Sequence, residues 1–263
     1  MNYQSVDQIV VGLLSTTGFM TVLWLVQWQT GDAGIVDVGW SASLGLLALF
    51  YGLTQADLSS RTMLVMAIAS LWSFRLAMYL LRDRILGKPE DGRYKEIRSR
   101  QGRRVQIWFF GFFQLQAVVA WIFSLAFLIA MQKKGSLDYW DGLGLSIWMI
   151  SVIGESIADT QLARFRNDSI NKGKVCHNGL WRFSRHPNYF FEWMHWWSYV
   201  VIGWQSSFGW VNLFAPALML FFLFKVTGIP ATESHALISR GDEYRNYQRT
   251  TSMFVPWFPK RAS

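Results

Sequence analysis

Residues 108–131 read WFFGFFQLQAVVAWIFSLAFLIAM, a run of 24 residues without a single charge. About 20 mostly apolar residues are enough to cross the hydrocarbon core of a membrane as an α-helix. Six further apolar stretches have this character, so the sequence predicts seven spanning helices. These stretches are 6–28, 34–53, 63–81, 143–158, 189–204 and 210–228. We therefore predict an all-α integral membrane protein in which residues 1–263 form a single membrane domain.

The composition of the 263-residue chain agrees with this interpretation and excludes several classes of protein. Hydrophobic residues make up 52 % and charged residues 16 %, against about 25 % charged in ordinary soluble domains. The mean hydropathy is +0.18, so a disordered chain and a plain soluble domain are both excluded. Cys176 is the one cysteine, which excludes a disulfide framework and a cysteine-based zinc site. The histidines show no metal-ligand spacing, and we predict no metal.

The lysines and arginines predict how the chain is oriented in the membrane. The segments 82–107, 160–188 and 225–263 contain nine, six and six of them, which is 21 of the 25 in the chain. With seven spans all three segments lie on one side, which the positive-inside rule assigns to the cytoplasm. The N-terminus is then outside and the C-terminus cytoplasmic. The net charge of +8 comes from these segments, and we predict no nucleic-acid partner.

The segment 160–188 and the residues just after it are the clearest candidate for a binding site. Six basic residues stand in this segment against one acid, and guanidinium groups pair with phosphate in a bidentate geometry. A basic loop of this kind can also be an ordinary solvated face. Here, however, polar residues crowd the start of the next span, where polar groups are costly: His186, Asn188, Tyr189 and Glu192. Asn188 and Glu192 lie four positions apart, so both can point into the helix bundle.

Two stretches make the sequence similar to a known family. GLWRFSRHPNYFFEW at 179–193 and GDEYRNYQRTTSMFVPWFP at 241–259 resemble the C-terminal catalytic region of the steroid 5α-reductases and their bacterial relatives. The resemblance implies a seven-helix membrane enzyme that uses NADPH to reduce the Δ4 double bond of 3-oxo-steroids. It also implies the bacterial inner membrane, with the cofactor reaching its site from the cytoplasm. The four spans of 1–131 would form the substrate side, and 143–263 the cofactor side.

The same resemblance implies roles for individual residues. Arg166 and Lys174 would bind phosphate, while Asn188 and Glu192 would face the nicotinamide carboxamide. The implied cofactor-binding residues are Asp159, Arg164, Arg166, Lys174, Leu180, Trp181, Arg185, His186, Asn188, Tyr189, Glu192, Tyr244 and Tyr247. The implied catalytic residues are Asp37, Glu192 and Trp72, of which Trp72 stands where the family has a tyrosine.

Two charged residues lie inside predicted spans. A charged group at membrane depth needs a partner, and we predict that Asp37 of the second span pairs with Arg75 of the third. Asp37 is equally compatible with a place in the first turn of a helix at the membrane surface, where the helix dipole favours an acid.

Two other functions stay open at this point. Isoprenylcysteine carboxyl methyltransferases carry a similar Arg-His-Pro-x-Tyr turn and an aromatic tail ending in a proline. An S-adenosylmethionine-dependent membrane methyltransferase is therefore one alternative. A lipid-binding or transport protein without enzymatic activity is the other, although a transport path needs polar groups at mid-depth. For the reductase we expect a monomer and an apolar, steroid-like or isoprenoid-like substrate that arrives from the membrane lipid.

Overall fold

The computed structural model describes residues 3–226 and 228–260, with side chains from Val6 onward. Within these residues all regular structure is helical and no strand occurs. Short π-helical turns, Leu81–Ile85 and Phe222–Val226, directly continue the α-helices that end at Leu80 and Phe221. The α-helices of the described chain are α1 (Tyr3–Thr30), α2 (Ile35–Leu53), α3 (Ser60–Leu80), α4 (Gly92–Gln101), α5 (Val105–Met131), α6 (Tyr139–Asn167), α7 (Pro187–Gly203), α8 (Phe214–Phe221) and α9 (Ile229–Thr250).

Six helical stretches of the described chain are long and apolar enough to cross a membrane, so the protein is an integral membrane protein. They are Val6–Thr30, Ile35–Leu53, Ser60–Ile85, Gly92–Met131, Tyr139–Asn167 and Gly209–Thr250. The predicted span 189–204 coincides with α7. The 17 residues of α7 are fewer than the roughly 20 that a crossing needs, so the count of seven spans stays a prediction.

The chain folds into two compact units. The first consists of Met1–Leu137 with Gln205–Gly209, and the second of Asp138–Trp204 with Trp210–Ser263. The first unit contains α1 to α5, and the second contains α6 to α9. The boundary falls between the fourth and fifth predicted spans.

In the first unit α2 packs beside α3, and both α1 and α2 pack against α5. Apolar side chains such as Leu14 and Val22 on α1 face outward, which suits a helix whose surroundings are lipid rather than water. One buried cluster joins α1, α2, α4 and α5. Its members include Met20, Val36, Tyr94, Phe109 and Phe113.

The helix α4 was not predicted, because the segment 82–107 is strongly charged and contains no apolar stretch. Asp91 is its N-cap and accepts a hydrogen bond from the backbone nitrogen of Arg93 at 2.9 Å, which compensates an unsatisfied donor of the first turn. The helix ends at Gly102, whose φ of 49° is a conformation that residues with a Cβ avoid. The chain turns there and continues as α5.

In the second unit α6 and α7 pack along each other. They approach so closely at Gly154 that an added Cβ would lie 2.5 Å from ring atoms of Phe191, a separation that real side chains do not tolerate. The helix α6 begins at a capping box formed by Asp138 and Asp141, and Pro187 occupies the first turn of α7, a position that suits its fixed φ.

The helix α9 was not predicted either, since the segment after the last apolar stretch is polar. It is kinked at Gly241, whose φ is 51°. The side chains of Ala236, Tyr244 and Tyr247 on α9 form a buried cluster with Val175 of the preceding basic segment. The helix thereby covers the loop that follows α6.

Candidate functional site

Glu233 on α9 binds the turn that precedes α7. Its Oε1 accepts a hydrogen bond from Arg185 Nε at 2.7 Å and lies 3.2 Å from His186 Nε2, and its Oε2 accepts from Gln248 Nε2 at 2.7 Å. The side chains of Arg185 and Glu233 are only 6 % and 13 % exposed. A shielded carboxylate with three donors forms strong, charge-assisted hydrogen bonds. The network therefore fixes the orientation of Arg185 and His186.

A second segment, residues 251–257, binds the same turn through its backbone, and we call it the strap. The backbone nitrogen of Arg185 donates to the carbonyl oxygen of Ser252 at 2.8 Å, and that of Trp257 donates to the carbonyl oxygen of Phe183 at 2.9 Å. These bonds hold the turn between α9 and the strap. The turn is therefore a rigid part of the second unit.

Tyr247 extends the network to the segment before the turn. Its hydroxyl donates to the carbonyl oxygens of Trp181 and Ser184, the latter at 3.2 Å. The ring of Tyr244 lies 5.8 Å from that of Tyr247, and the indole nitrogen of Trp181 donates to the carbonyl of Ala158 on α6 at 2.9 Å. The structure thus places these residues of the predicted cofactor set in one connected cluster: Trp181, Arg185, His186, Tyr244 and Tyr247.

His186 is buried in this cluster and stacks on Tyr189, with ring centroids 5.3 Å apart and an angle of 6° between the planes. Burial lowers the pKa of His186 below its ordinary value of 6.5, the neighbouring Glu233 raises it in part, and Arg185 lowers it further. The imidazole is therefore neutral at pH 7. Because an ionised carboxylate only accepts hydrogen bonds, the bond to Glu233 requires the proton of His186 on Nε2.

A polar face joins α6 and α7. Asn188 Nδ2 donates to Asp159 Oδ1 at 3.4 Å, and Asp159 is buried. Glu192 lies one turn further along α7 and is half-buried, while Glu155 lies one turn before Asp159 on α6 and is buried. The bond between Asn188 and Asp159 joins the two helices at this face, and the four-residue spacing of Asn188 and Glu192 predicts that Glu192 points the same way.

The remaining predicted cofactor residues lie on or near the surface of the second unit. Arg164 and Arg166 in the last turn of α6, and Lys174 in the following loop, are exposed. Leu180 is half-buried, and its backbone nitrogen donates to Gln161 Oε1 at 2.9 Å. The three basic side chains are therefore accessible to a ligand in solution.

Asp37 lies in the first turn of α2, in the first unit. Its Oδ1 accepts a hydrogen bond from the hydroxyl of Tyr94 at 2.8 Å, and its Oδ2 accepts from Arg93 Nη2 at 3.2 Å. Both partners come from α4. The predicted pairing of Asp37 with Arg75 is therefore wrong, and Asp37 pairs with α4 instead. Trp72 is fully buried in the same unit.

Four residues that organise these sites were not predicted from the sequence: Glu233, Gln248, Arg93 and Tyr94. One signal for Glu233 was available in the charge distribution. The segment 160–188 has six basic residues and one acid, so a buried basic residue there must find its carboxylate in another segment.

Residues 23–251 match a protein family described as "Protein of unknown function (DUF1295)", and this range covers most of the chain. The chain belongs to the DUF1295 family. This DUF1295 member is 27 % identical over 245 residues to an uncharacterised protein of Schizosaccharomyces pombe, an alignment that covers 80 % of this chain and 71 % of that protein. No solved structure matches it. The matched range of this DUF1295 member includes every predicted site residue from Asp37 to Tyr247.

Proposed function

We propose that this membrane protein uses NADPH to reduce the C=C bond of an α,β-unsaturated ketone in an apolar, steroid-like substrate. The observation that carries the proposal is the layout along α6. The buried Asp159 accepts a hydrogen bond from Asn188. The exposed Arg166 lies seven residues further along α6, which is about 10 Å along the helix axis. That layout suits a ligand with phosphate groups at one end and an amide-bearing ring at the other.

The chemistry of the donor set fits NADPH at both ends. Arg164, Arg166 and Lys174 offer exposed cationic donors for phosphate, including a 2′-phosphate. A carboxamide needs both a donor and an acceptor. Asp159 accepts one of the two Nδ2 protons of Asn188, so the second proton can donate to the carboxamide oxygen, while the Asn188 oxygen and the Glu192 carboxylate can accept from the carboxamide nitrogen. The resemblance of residues 179–193 to the steroid 5α-reductases supports the same assignment.

The chain's own residues bind, orient and exclude water. When bound, NADPH supplies a hydride to the β-carbon of the substrate. Charge that develops on the substrate oxygen needs a hydrogen-bond donor, and the resemblance assigns this region to Asp37 and Trp72. In the structure Asp37 Oδ1 accepts a hydrogen bond from the hydroxyl of Tyr94, and the two oxygen atoms lie 2.8 Å apart. Because its single proton is engaged by Asp37, Tyr94 positions the proposed catalytic carboxylate and does not itself donate to the substrate in this arrangement.

Thermal unfolding in detergent tests the cofactor class. We expect NADPH to raise the melting temperature more than NADH, because the exposed basic residues favour a 2′-phosphate and ligand binding stabilises the folded state. S-adenosylmethionine is the comparison ligand. A rise with S-adenosylmethionine and none with NADPH would establish the methyltransferase alternative instead.

Glu192→Gln tests the site itself. Exchange of a charge-assisted hydrogen bond for a neutral one should weaken NADPH binding about ten-fold, or roughly 1–2 kcal/mol. Asp242→Asn is the matched control, because Asp242 lies exposed on α9 and should leave the affinity unchanged. If Glu192→Gln lowers the melting temperature and keeps the wild-type affinity, Glu192 has a structural role and the cofactor assignment is wrong.

For the topology we propose seven spans, with α7 as the short one, the N-terminus outside and the C-terminus in the cytoplasm of a bacterial cell. The distribution of 21 of the 25 basic residues over three segments supports it. A reporter fused after Lys260 should be cytoplasmic, and a reporter fused near Ser5 should be external. A cytoplasmic location of the reporter at Ser5 would mean that the protein has one span fewer than proposed, and α7 would be the first helix to exclude from the count.

A further inference from the structure

The helix α4 has one buried and one exposed face, and the exposed face is basic. Tyr94 is buried and Ile97, Arg98 and Gln101 are half-buried, at the spacing of one helix face. The opposite face and the turn after Gly102 are exposed. Their basic residues, which we call the basic face, are Lys95, Arg100, Arg103 and Arg104. Glu96, which pairs with Arg100 at 2.5 Å, is the acid among them.

Contacts on the other side fix α4 in place. Arg98 donates to both carboxylate oxygens of Glu90, at 3.3 and 2.9 Å, and to the carbonyl of Gly31 at 3.0 Å. Glu90 in turn accepts from the backbone nitrogen of Ala33 at 2.9 Å. The Arg98 guanidinium also lies 5.0 Å from the ring centre of Phe109 on α5. These bonds tie α4 to the α1–α2 turn and to α5, so the basic face always points away from the bundle.

The basic face lies where the apolar surface of the first unit begins. Ile107, in the first turn of α5, is 77 % exposed, and Leu86, just before α4, is 60 % exposed. From Val105 onward α5 is uncharged to its end at Met131. A helix that lies at the start of a spanning segment, with cationic residues beside exposed apolar ones, is at the depth of lipid headgroups.

We propose that the basic face binds the phosphate headgroup of an anionic phospholipid, with Ile107 and Leu86 against its acyl chains. Arginine pairs with phosphate oxygens in a bidentate geometry, and three of the four basic residues are arginines. A free nucleotide phosphate has the same chemistry, but the exposed apolar residues beside the basic face suit acyl chains and not a sugar. The proposal does not depend on the reductase function, because the basic face belongs to the first unit.

The experiment measures the melting temperature of the full chain in neutral detergent with added phosphatidylglycerol or phosphatidylcholine. We expect phosphatidylglycerol to raise it by roughly 3–6 °C and phosphatidylcholine to leave it unchanged, since ligand binding stabilises the folded state. The rise should shrink as the salt concentration increases. Neutralisation of the basic face should abolish most of it, in the variant Lys95→Gln, Arg100→Gln, Arg103→Gln and Arg104→Gln.

A control variant removes the same number of exposed positive charges from the second unit. It carries Arg164→Gln, Arg166→Gln, Lys172→Gln and Lys174→Gln, and it should keep the phosphatidylglycerol response. Equal loss in both variants would overturn the proposal, because the response would then follow net charge alone. A response to NADPH that requires the basic face, without one to phosphatidylglycerol, would overturn it as well. If the fourfold variant fails to fold, Arg103→Gln with Arg104→Gln, outside α4, should halve the response or the proposal is wrong.

Discussion

Asp37 in the first unit and Glu233 in the second each bind an arginine and one ring-bearing side chain through a single carboxylate. The ring belongs to Tyr94 at Asp37 and to His186 at Glu233. Asp37 has two donors, Arg93 and Tyr94, and the paired side chains of Asp37 and Arg93 are 27 % and 30 % exposed. Glu233 has three donors, and it and Arg185 are shielded from solvent. Water compensates charges at the first network but not at the second. The more deeply buried Glu233 network should therefore contribute more to the stability of the fold than the Asp37 network.

The largest effect should follow from Glu233→Gln. The substitution preserves the shape of the side chain but leaves the buried Arg185 guanidinium without its counter-charge, so the free energy of unfolding should fall by about 3 kcal/mol. The measurement is unfolding in detergent. Asp242→Asn is the matched control on the same helix, because its ion pair with Arg245 lies in solvent. Equal stability of the two variants would mean that the Glu233 network contributes no more than an exposed ion pair.

Asp37→Asn should have a smaller effect, a loss of about 1–2 kcal/mol. The amide oxygen of asparagine still accepts the bond from Tyr94, and solvent compensates part of the charge of Arg93. Tyr94→Phe and the double variant complete a mutant cycle, and the coupling between the two positions should be favourable. Strict additivity of the two single changes would show that the negative charge of Asp37 adds nothing to its hydrogen bond with Tyr94.

The smallest effect should come from the protonation of His186. Burial lowers its pKa in the folded state below 6.5, so at pH values between the two pKa values the unfolded chain binds more protons. Stability is then complete above pH 6.5 and falls as the pH drops through the lowered pKa, with a slope below about 1.4 kcal/mol per pH unit. His186→Gln should flatten this part of the profile. The check is the melting temperature between pH 5 and 8 for both proteins, and an unchanged slope would assign the pH dependence to another group.

The membrane-crossing helices could be predicted because each depends on a long apolar stretch, a property of consecutive residues. The helices α4 and α9 could not, because their segments are polar and read as loops. What stabilises α4 is the contact of Tyr94 with Asp37 and of Arg98 with Glu90. Contacts of this kind appear only when distant segments meet, so hydropathy alone does not reveal them.

The candidate site shows the same limit. The motif residues Arg185 and His186 could be selected from their neighbours in the sequence, and the structure places them in one cluster with Tyr247. Their carboxylate partner could not, because Glu233 lies 48 residues from Arg185 in a segment that looks solvated. Asp37 shows the converse, since a partner was predicted on the next span and the structure provides two from α4.

The strap has a consequence for how the protein is made. Its bonds to the turn before α7 join residues that are 66 to 74 positions apart, as between Arg185 and Thr251 or Phe183 and Trp257. A contact of such sequence separation cannot form until both segments have been synthesised. While the ribosome is still translating α8 and α9, the turn before α7 therefore lacks the strap that holds it. Assembly of the site is therefore one of the last steps in the folding of the second unit, after the chain has been synthesised through the strap.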